Sequence, residues 1–222
     1  MTDLATTPAP KSTLLAVNGL TFSYAQRHVF SVWSHDFAGG LTWVRGPNGC
    51  GKSTLLKLLG GAITPQSGQV SVKSMRLADH PLDYRREVFW CGPGGLAFEH
   101  LSMNEYFAFM RSLYRRVDDA ALGHHVAGFA LEPFVRVPLA NLSTGTQRKV
   151  WLAMALSAGC LVTLIDEPIN ALDAASAAHL LSALVHCSQD RSRACIVVSH
   201  EDIGPAGTAA IHLELPLRAM TS

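Results

Sequence analysis

An α/β fold with a mostly parallel sheet is predicted by three features of this 222-residue chain. Short apolar runs alternate with helical patterns in its second half, at the spacing of strand–helix–strand units. The run LVTLI at 161–165 is apolar on both faces, as befits a strand at the centre of a parallel sheet. A glycine-rich loop, GPNGCGKST at 46–54, stands between an apolar run and a helical segment.

Residues 1–12 carry Asp3, two prolines and several threonines and read as a flexible tail. They lack the basic start and apolar run of a secretory signal, so the protein is expected to stay inside the cell. LLAVNGL from Leu14, then Thr21 to Tyr24, then HVFSVW read as strands, and Leu41 to Val44 is a strand leading into the loop. A helix begins near Lys52, continues through Leu55 to Leu59 and is stopped by Gly60 and Gly61. The turn TPQSG leads into a strand from Gly68 to Lys73, and EVFWC forms another.

Between about 95 and 140 the pattern turns helical, in LSMNEYFAFMRSLYRR and DDAALGHHVAGFALEPF, with acidic residues near the helix starts. Gln147 to Ala158 reads as a buried helix, 161–165 as the central strand and Asp173 to Cys187 as a helix. Ala194 to Ser199 and Ile211 to Leu215 are closing strands. The organisation expected is a tail over 1–12 and one domain over 13–222, interrupted by a helical insert at about 95–140.

Composition excludes several classes. With 48% apolar residues, 16% charged and a mean hydropathy of +0.19, the chain is far from a disordered one. No uncharged stretch exceeds sixteen residues, the length of Val150 to Ile165, short of the roughly 20 that cross a bilayer as a helix. That run divides into the buried helix and the central strand. Eighteen basic residues against seventeen acidic give a net charge of +1, which provides no footprint for nucleic acid. The five cysteines, Cys50, Cys91, Cys160, Cys187 and Cys195, contain no C-x-x-C pair, so neither a disulfide framework nor a zinc site is indicated and reduced thiols are expected.

The loop at 46–54 fits G-x-x-x-x-G-K-[ST] in its strand–loop–helix context and predicts a P-loop NTPase core. Gly46, Gly49 and Gly51 let the backbone wrap so that its N–H groups point at a phosphate, with Pro47, Asn48, Cys50 and Thr54 completing the cradle. Lys52 supplies an ammonium for the β- and γ-phosphates, and the Ser53 hydroxyl a ligand for Mg2+. LVTLIDEP places Asp166 and Glu167 at the carboxyl end of the central strand, where open parallel sheets hold ligands. Asp166 is the expected Mg2+ partner. Glu167 is the expected general base or water-orienting group.

The phosphate loop, LSTGTQ at 142–147, LVTLIDEP, ALD at 171–173 and VVSH at 197–200 together resemble the ATP-binding subunit of an ABC transporter, in family order. The resemblance implies an N-terminal antiparallel β subdomain and an inserted α-helical subdomain. It implies that Ser143 and Gly145 of the signature bind the ATP of a second subunit, that His200 contacts the γ-phosphate, that Tyr24 stacks on adenine and that Asp173 touches the opposite subunit. Read from chemistry alone, Ser143 caps a helix from Gln147 onward. A head-to-tail dimer, homodimeric or with a paralogue, and a separate transmembrane permease are implied as partners, with the chain peripheral on the inner face of the cell membrane.

Three departures stand out. Thr144 and Thr146 replace the usual glycine and glutamine of the signature. Asn170 stands where serine is usual. No glutamine occurs between Gln69 and Gln147, so a glycine near 94 takes the place of the glutamine that touches Mg2+. Within the family, RVPLANLSTGTQRKVWLA is similar to the haem-exporter ATPase of cytochrome c biogenesis. The alternatives are a soluble ATPase of the same kind acting on ribosomes or in DNA repair, and an ATP-gated assembly factor that hydrolyses weakly.

Overall fold

The computed structural model describes residues 13–25, 27–92 and 98–215. In chain order its main elements are β1 (Thr13–Tyr24), β2 (Arg27–Ala38), β3 (Gly40–Arg45), α1 (Lys52–Leu59), β4 (Ser67–Val72) and β5 (Met75–Arg76). There follow α2 (Pro81–Arg86), β6 (Val88–Cys91), α3 (Met103–Leu113), α4 (Asp119–Gly128) and α5 (Thr144–Ser157). The chain closes with β7 (Val162–Asp166), α6 (Ala174–Gln189), β8 (Ala194–Val198), α7 (Gly204–Ala209) and β9 (Ile211–Glu214).

Two sheets result. One is antiparallel in the order β2-β1-β4-β5, and the other runs β6-β7-β8-β3-β9 with every described pairing parallel. The pattern that separates LLAVNGL from Thr21–Tyr24 marks a bulge and not a turn. Gly19 takes φ +62 and the pairing with β2 shifts register between Val17 and Leu20, while the strand itself continues.

Alternation decides what each face of the parallel sheet covers. Val162, Leu164, Ile196 and Val198 join a core with α1 and the antiparallel sheet, whereas Ile165, Val197 and Trp43 join one with α5 and α6. Leu55, Leu56, Leu58 and Leu59 of α1 are fully buried, each contributing about 1.5–3 kcal/mol. The helix that follows the phosphate loop is therefore firmly seated. At its far end the buried Tyr84 hydroxyl donates to Leu59 O at 2.6 Å, satisfying a terminal carbonyl.

Several boundaries differ from the sequence expectation. α5 begins at Thr144 and not at Gln147, because the Ser143 hydroxyl accepts the Thr146 N–H at 3.1 Å and fixes the first turn earlier. α4 stops at Gly128 instead of running to Phe134: Ala130 takes φ +53, and Pro133 opens a separate 3₁₀ turn at Glu132–Phe134. α3 starts at Met103, set by a reciprocal cap in which Ser102 and Glu105 bond each other's backbone. The short α2 and α7 carry too few periodic positions to be read from sequence.

No helix among the described residues is long and apolar enough to cross a membrane. The apolar run from Val150 to Ile165 lies in α5 and β7, mostly buried. The tail over 1–12 and the glycine near 94 lie outside the described residues.

Candidate nucleotide site

The phosphate loop leaves β3 and enters α1 with Gly46, Gly49 and Gly51 at φ +150, +79 and +109, a backbone available to glycine. Space enforces the choice as well. A Cβ on Gly51 would sit 2.6 Å from Val29 Cγ1, and one on Gly46 2.6 Å from Leu215 O. The loop is thus wedged between β2 and the residue after β9. The half-buried Cys50 lies inside this turn against Gly46.

Lys52 is buried, and its Nζ donates to Gly46 O at 2.7 Å and Pro47 O at 3.1 Å, so the cation lies over its own loop. Arg27 donates to Gly49 O at 2.6 Å from the start of β2. Tyr24 ends β1, 45% exposed, with Phe22 edge-on at 4.8 Å. A groove of about 240 Å³ is lined by Tyr24, Arg27, Asn48, Gly49, Gly51 to Thr54 and Glu167. Arg27 was not visible as a site residue in the sequence; only the pairing of β1 with β2 carries it to the loop.

Asp166 ends β7 with 1% exposure, and both carboxylate oxygens are buried without a hydrogen-bond partner. Burial pushes its pKa up, while the nearby Ser53 hydroxyl, Arg148 and Lys52 pull the other way. An unpartnered buried carboxyl is costly and calls for a ligand. With the Ser53 hydroxyl it forms an oxygen donor set that fits a hard divalent cation.

Glu167 follows at φ +47, so the chain turns immediately after the strand and the two adjacent carboxylates take different surroundings. Its Oε2 lies 2.9 Å from His200 Nδ1 and 3.4 Å from the His200 N–H. Glu167, by hydrogen bond and by charge, holds His200 above the ordinary histidine range. A raised folded-state value means that the pair's stabilisation is fully present below the unfolded value of about 6.5. It is lost as pH rises through the higher folded value. In Glu167→Gln, the His200 midpoint followed by NMR is expected to fall toward the ordinary range; an unmoved midpoint would refute the pairing.

Arg148, buried in α5, was likewise missed, although a lone guanidinium inside an otherwise buried helix is itself a signal. It donates to Asp166 O, to Glu167 O at 3.1 Å and to Gly92 O at 3.0 Å. One side chain therefore ties the carboxyl ends of β6 and β7 to the helix that Ser143 caps.

Ser143 and Gly145 line neither the groove at Tyr24 nor the adjoining pocket formed by Gly46, Pro47, Asn48 and His200. Gly145 lies against the neighbouring loop, where a Cβ would meet Ala171 O at 2.5 Å. Asp173 caps α6 by accepting the Ser176 N–H at 2.9 Å and pairs with Lys149, which holds its carboxyl well below the usual range.

Open parallel sheets bind ligands beyond the carboxyl ends of their strands. Here β3, β8 and β7, side by side, bring the wrapped loop, His200 and the two carboxylates to that edge, which defines a P-loop nucleoside triphosphatase. The ABC transporter family matches residues 36–170, more than half of the sequence, and the chain belongs to that family. It is 31% identical to the "Cytochrome c biogenesis ATP-binding export protein CcmA" of Pseudomonas fluorescens strain Pf0-1 over 79% of this chain and 84% of the relative.

Two solved structures share the fold. One is described as the ATP-binding subunit of an ABC transporter, with a TM-score of 0.81 and 24% identity, covering 93% of this chain and 89% of the other. The other is a dimeric ATP-binding cassette in a post-hydrolysis state with ADP and phosphate, with a TM-score of 0.77 and 20% identity, covering 92% and 97%. The chain is an ATP-binding and ATP-hydrolysing subunit that energises a membrane transporter.

Proposed function

We propose that ATP lies across the groove with adenine on Tyr24 and its phosphates in the amide cradle of Gly46 to Thr54, where Lys52 turns from its own carbonyls to the phosphate oxygens. Ser53 and Asp166 hold Mg2+, which supplies charge neutralisation at the phosphates when bound. Glu167 orients the attacking water and accepts its proton. The water oxygen bonds to the γ-phosphorus as the bond to the bridging oxygen breaks, and ADP leaves. His200, held by Glu167, faces the γ-phosphate. The single observation that carries this reading is the buried, unpartnered Asp166 carboxylate beside Ser53, with Glu167 turned out of its strand toward His200.

Because Ser143 and Gly145 line neither pocket at their own loop, they are assigned to the site of a second cassette in a head-to-tail dimer with two composite sites. The helical segment carrying α3 and α4 is assigned to docking on a separate membrane subunit, which places the chain on the inner face of the membrane. The relative's name supports export in cytochrome c biogenesis as the pathway class.

Purification from membranes in mild detergent tests the partner assignment. A polytopic membrane protein is expected to co-purify in stoichiometric amount. Recovery of ribosomes or DNA in its place would overturn the transporter role of this site. Light scattering with ATP on a hydrolysis-deficient variant is expected to show a dimer that Ser143→Arg abolishes, and a persistent monomer would refute the composite site.

A further inference from the structure

Away from the nucleotide groove, α4 and α6 bring three histidines together: His124, exposed, and His125, buried, on α4, and the partly buried His179 on α6. Their nearest ring nitrogens all lie within 4.8 Å of one another, with His125 Nδ1 3.0 Å from His179 Nε2. Among the described residues this is the only group of three or more ligating side chains so gathered.

The ring centroids form a nearly equilateral triangle with sides of 5.3, 5.3 and 5.2 Å. A tetrahedral ion bound at about 2.0–2.1 Å by three imidazoles sets their centroids about 5.2 Å apart. The ring centroids therefore stand at the spacing of a three-imidazole zinc face, and the nitrogens, now within 4.8 Å of one another with His125 and His179 hydrogen-bonded, close to the roughly 3.3 Å of tetrahedral ligands on binding. The chain makes room for it with Gly128, where a Cβ would lie 2.1 Å from His179 Cε1, and Phe129 packs edge-on to His179 at 4.8 Å. All three histidines line a cavity of about 550 Å³ that also carries His186 and Asp190, leaving space for a fourth ligand.

We propose that His124, His125 and His179 form a binding site for a divalent transition-metal ion of the Zn2+ class, clamping α4 to α6. Neutral imidazole is the ligating form. Three borderline nitrogen donors suit Zn2+ over Mg2+ or Ca2+, which require oxygen. The site shares no residue with the nucleotide groove, so its fate is independent of the reading of that groove.

The test uses tag-free full-length protein, stripped with EDTA and kept reduced. Calorimetric titration with Zn2+ is expected to give one ion per chain, and Co2+ to give intense visible bands of tetrahedral coordination without thiolate charge transfer. His124→Gln alters an exposed position and leaves the fold intact, and His179→Ala removes a second ligand. Each is expected to weaken binding about tenfold or more. Zn2+ at about a hundred times Kd is expected to raise the Tm of the wild type by about 5–11 °C, and less in both variants. Absence of saturable binding, affinity unchanged in both variants, or thiolate bands would each overturn the proposal.

Discussion

Glu167→Gln is expected to lower kcat for ATP hydrolysis by about 10²–10⁴-fold while ATP affinity stays within about twofold. The substitution keeps shape and the capacity to accept a hydrogen bond from His200, which lies 2.9 Å from Glu167 Oε2, so the site's geometry persists. What it removes is a group that can take a proton from water. The elements proposed to bind phosphate, Lys52 and the Gly46–Thr54 cradle, are untouched, because they are wedged by Val29 and Leu215 and seated by α1. Phosphate release in steady state, with nucleotide affinity from a fluorescent analogue, measures both quantities. A rate within threefold of wild type would remove Glu167 from the hydrolytic step.

Arg148→Met is expected to lower stability by about 3 kcal/mol, the cost when buried carbonyls lose a charged donor. For a chain of this size that is a fall in Tm of about 6–12 °C by calorimetry. The carbonyls that lose the guanidinium belong to Asp166, Glu167 and Gly92, with Glu167 O keeping the Asn170 N–H at 3.3 Å, so the loss falls on the segment that carries Asp166 and Glu167. ATPase activity is therefore expected to drop more than folding alone explains when assayed well below the lowered Tm. Arg148→Lys supplies a point charge without the fork and restores only part of either property. A loss below about 1 kcal/mol would show that water replaces the guanidinium readily.

These two residues differ in how they announce themselves. Glu167 sits beside Asp166 at the end of a strand apolar on both faces, and the chemistry of adjacent carboxylates there is legible from one dimension. Arg148 lies within a motif whose neighbours attract attention, yet its partners are 18 and 56 positions away. Their convergence depends on β6 and β7 being neighbours, which no local pattern encodes. Arg27 is similar, since it reaches Gly49 only through the hairpin. The histidine triangle lies further still from sequence sight: His124 and His125 are adjacent, but His179 joins them only because α6 passes the end of α4 at Gly128.

Helix ends escape the apolar pattern for a related reason. Periodicity located α4 and α5, but the start of α5 was set by a single hydroxyl on Ser143, and the end of α4 by the left-handed turn at Ala130. Caps are decided by one or two bonds, beneath the resolution of an apolar pattern.

By itself the sequence determined the α/β class, the phosphate loop, the carboxylate pair and the absence of a bilayer-length apolar run, because each is written in contiguous residues with a short period. Only the tertiary structure decided how those pieces face one another. The order β6-β7-β8-β3-β9 sets His200 against Glu167, leaves Asp166 buried and unpartnered beside Ser53, and leaves Ser143 out of the lining of the groove. Strand order is fixed by long-range burial of both sheet faces, a free energy summed over the whole core and not carried by any one segment.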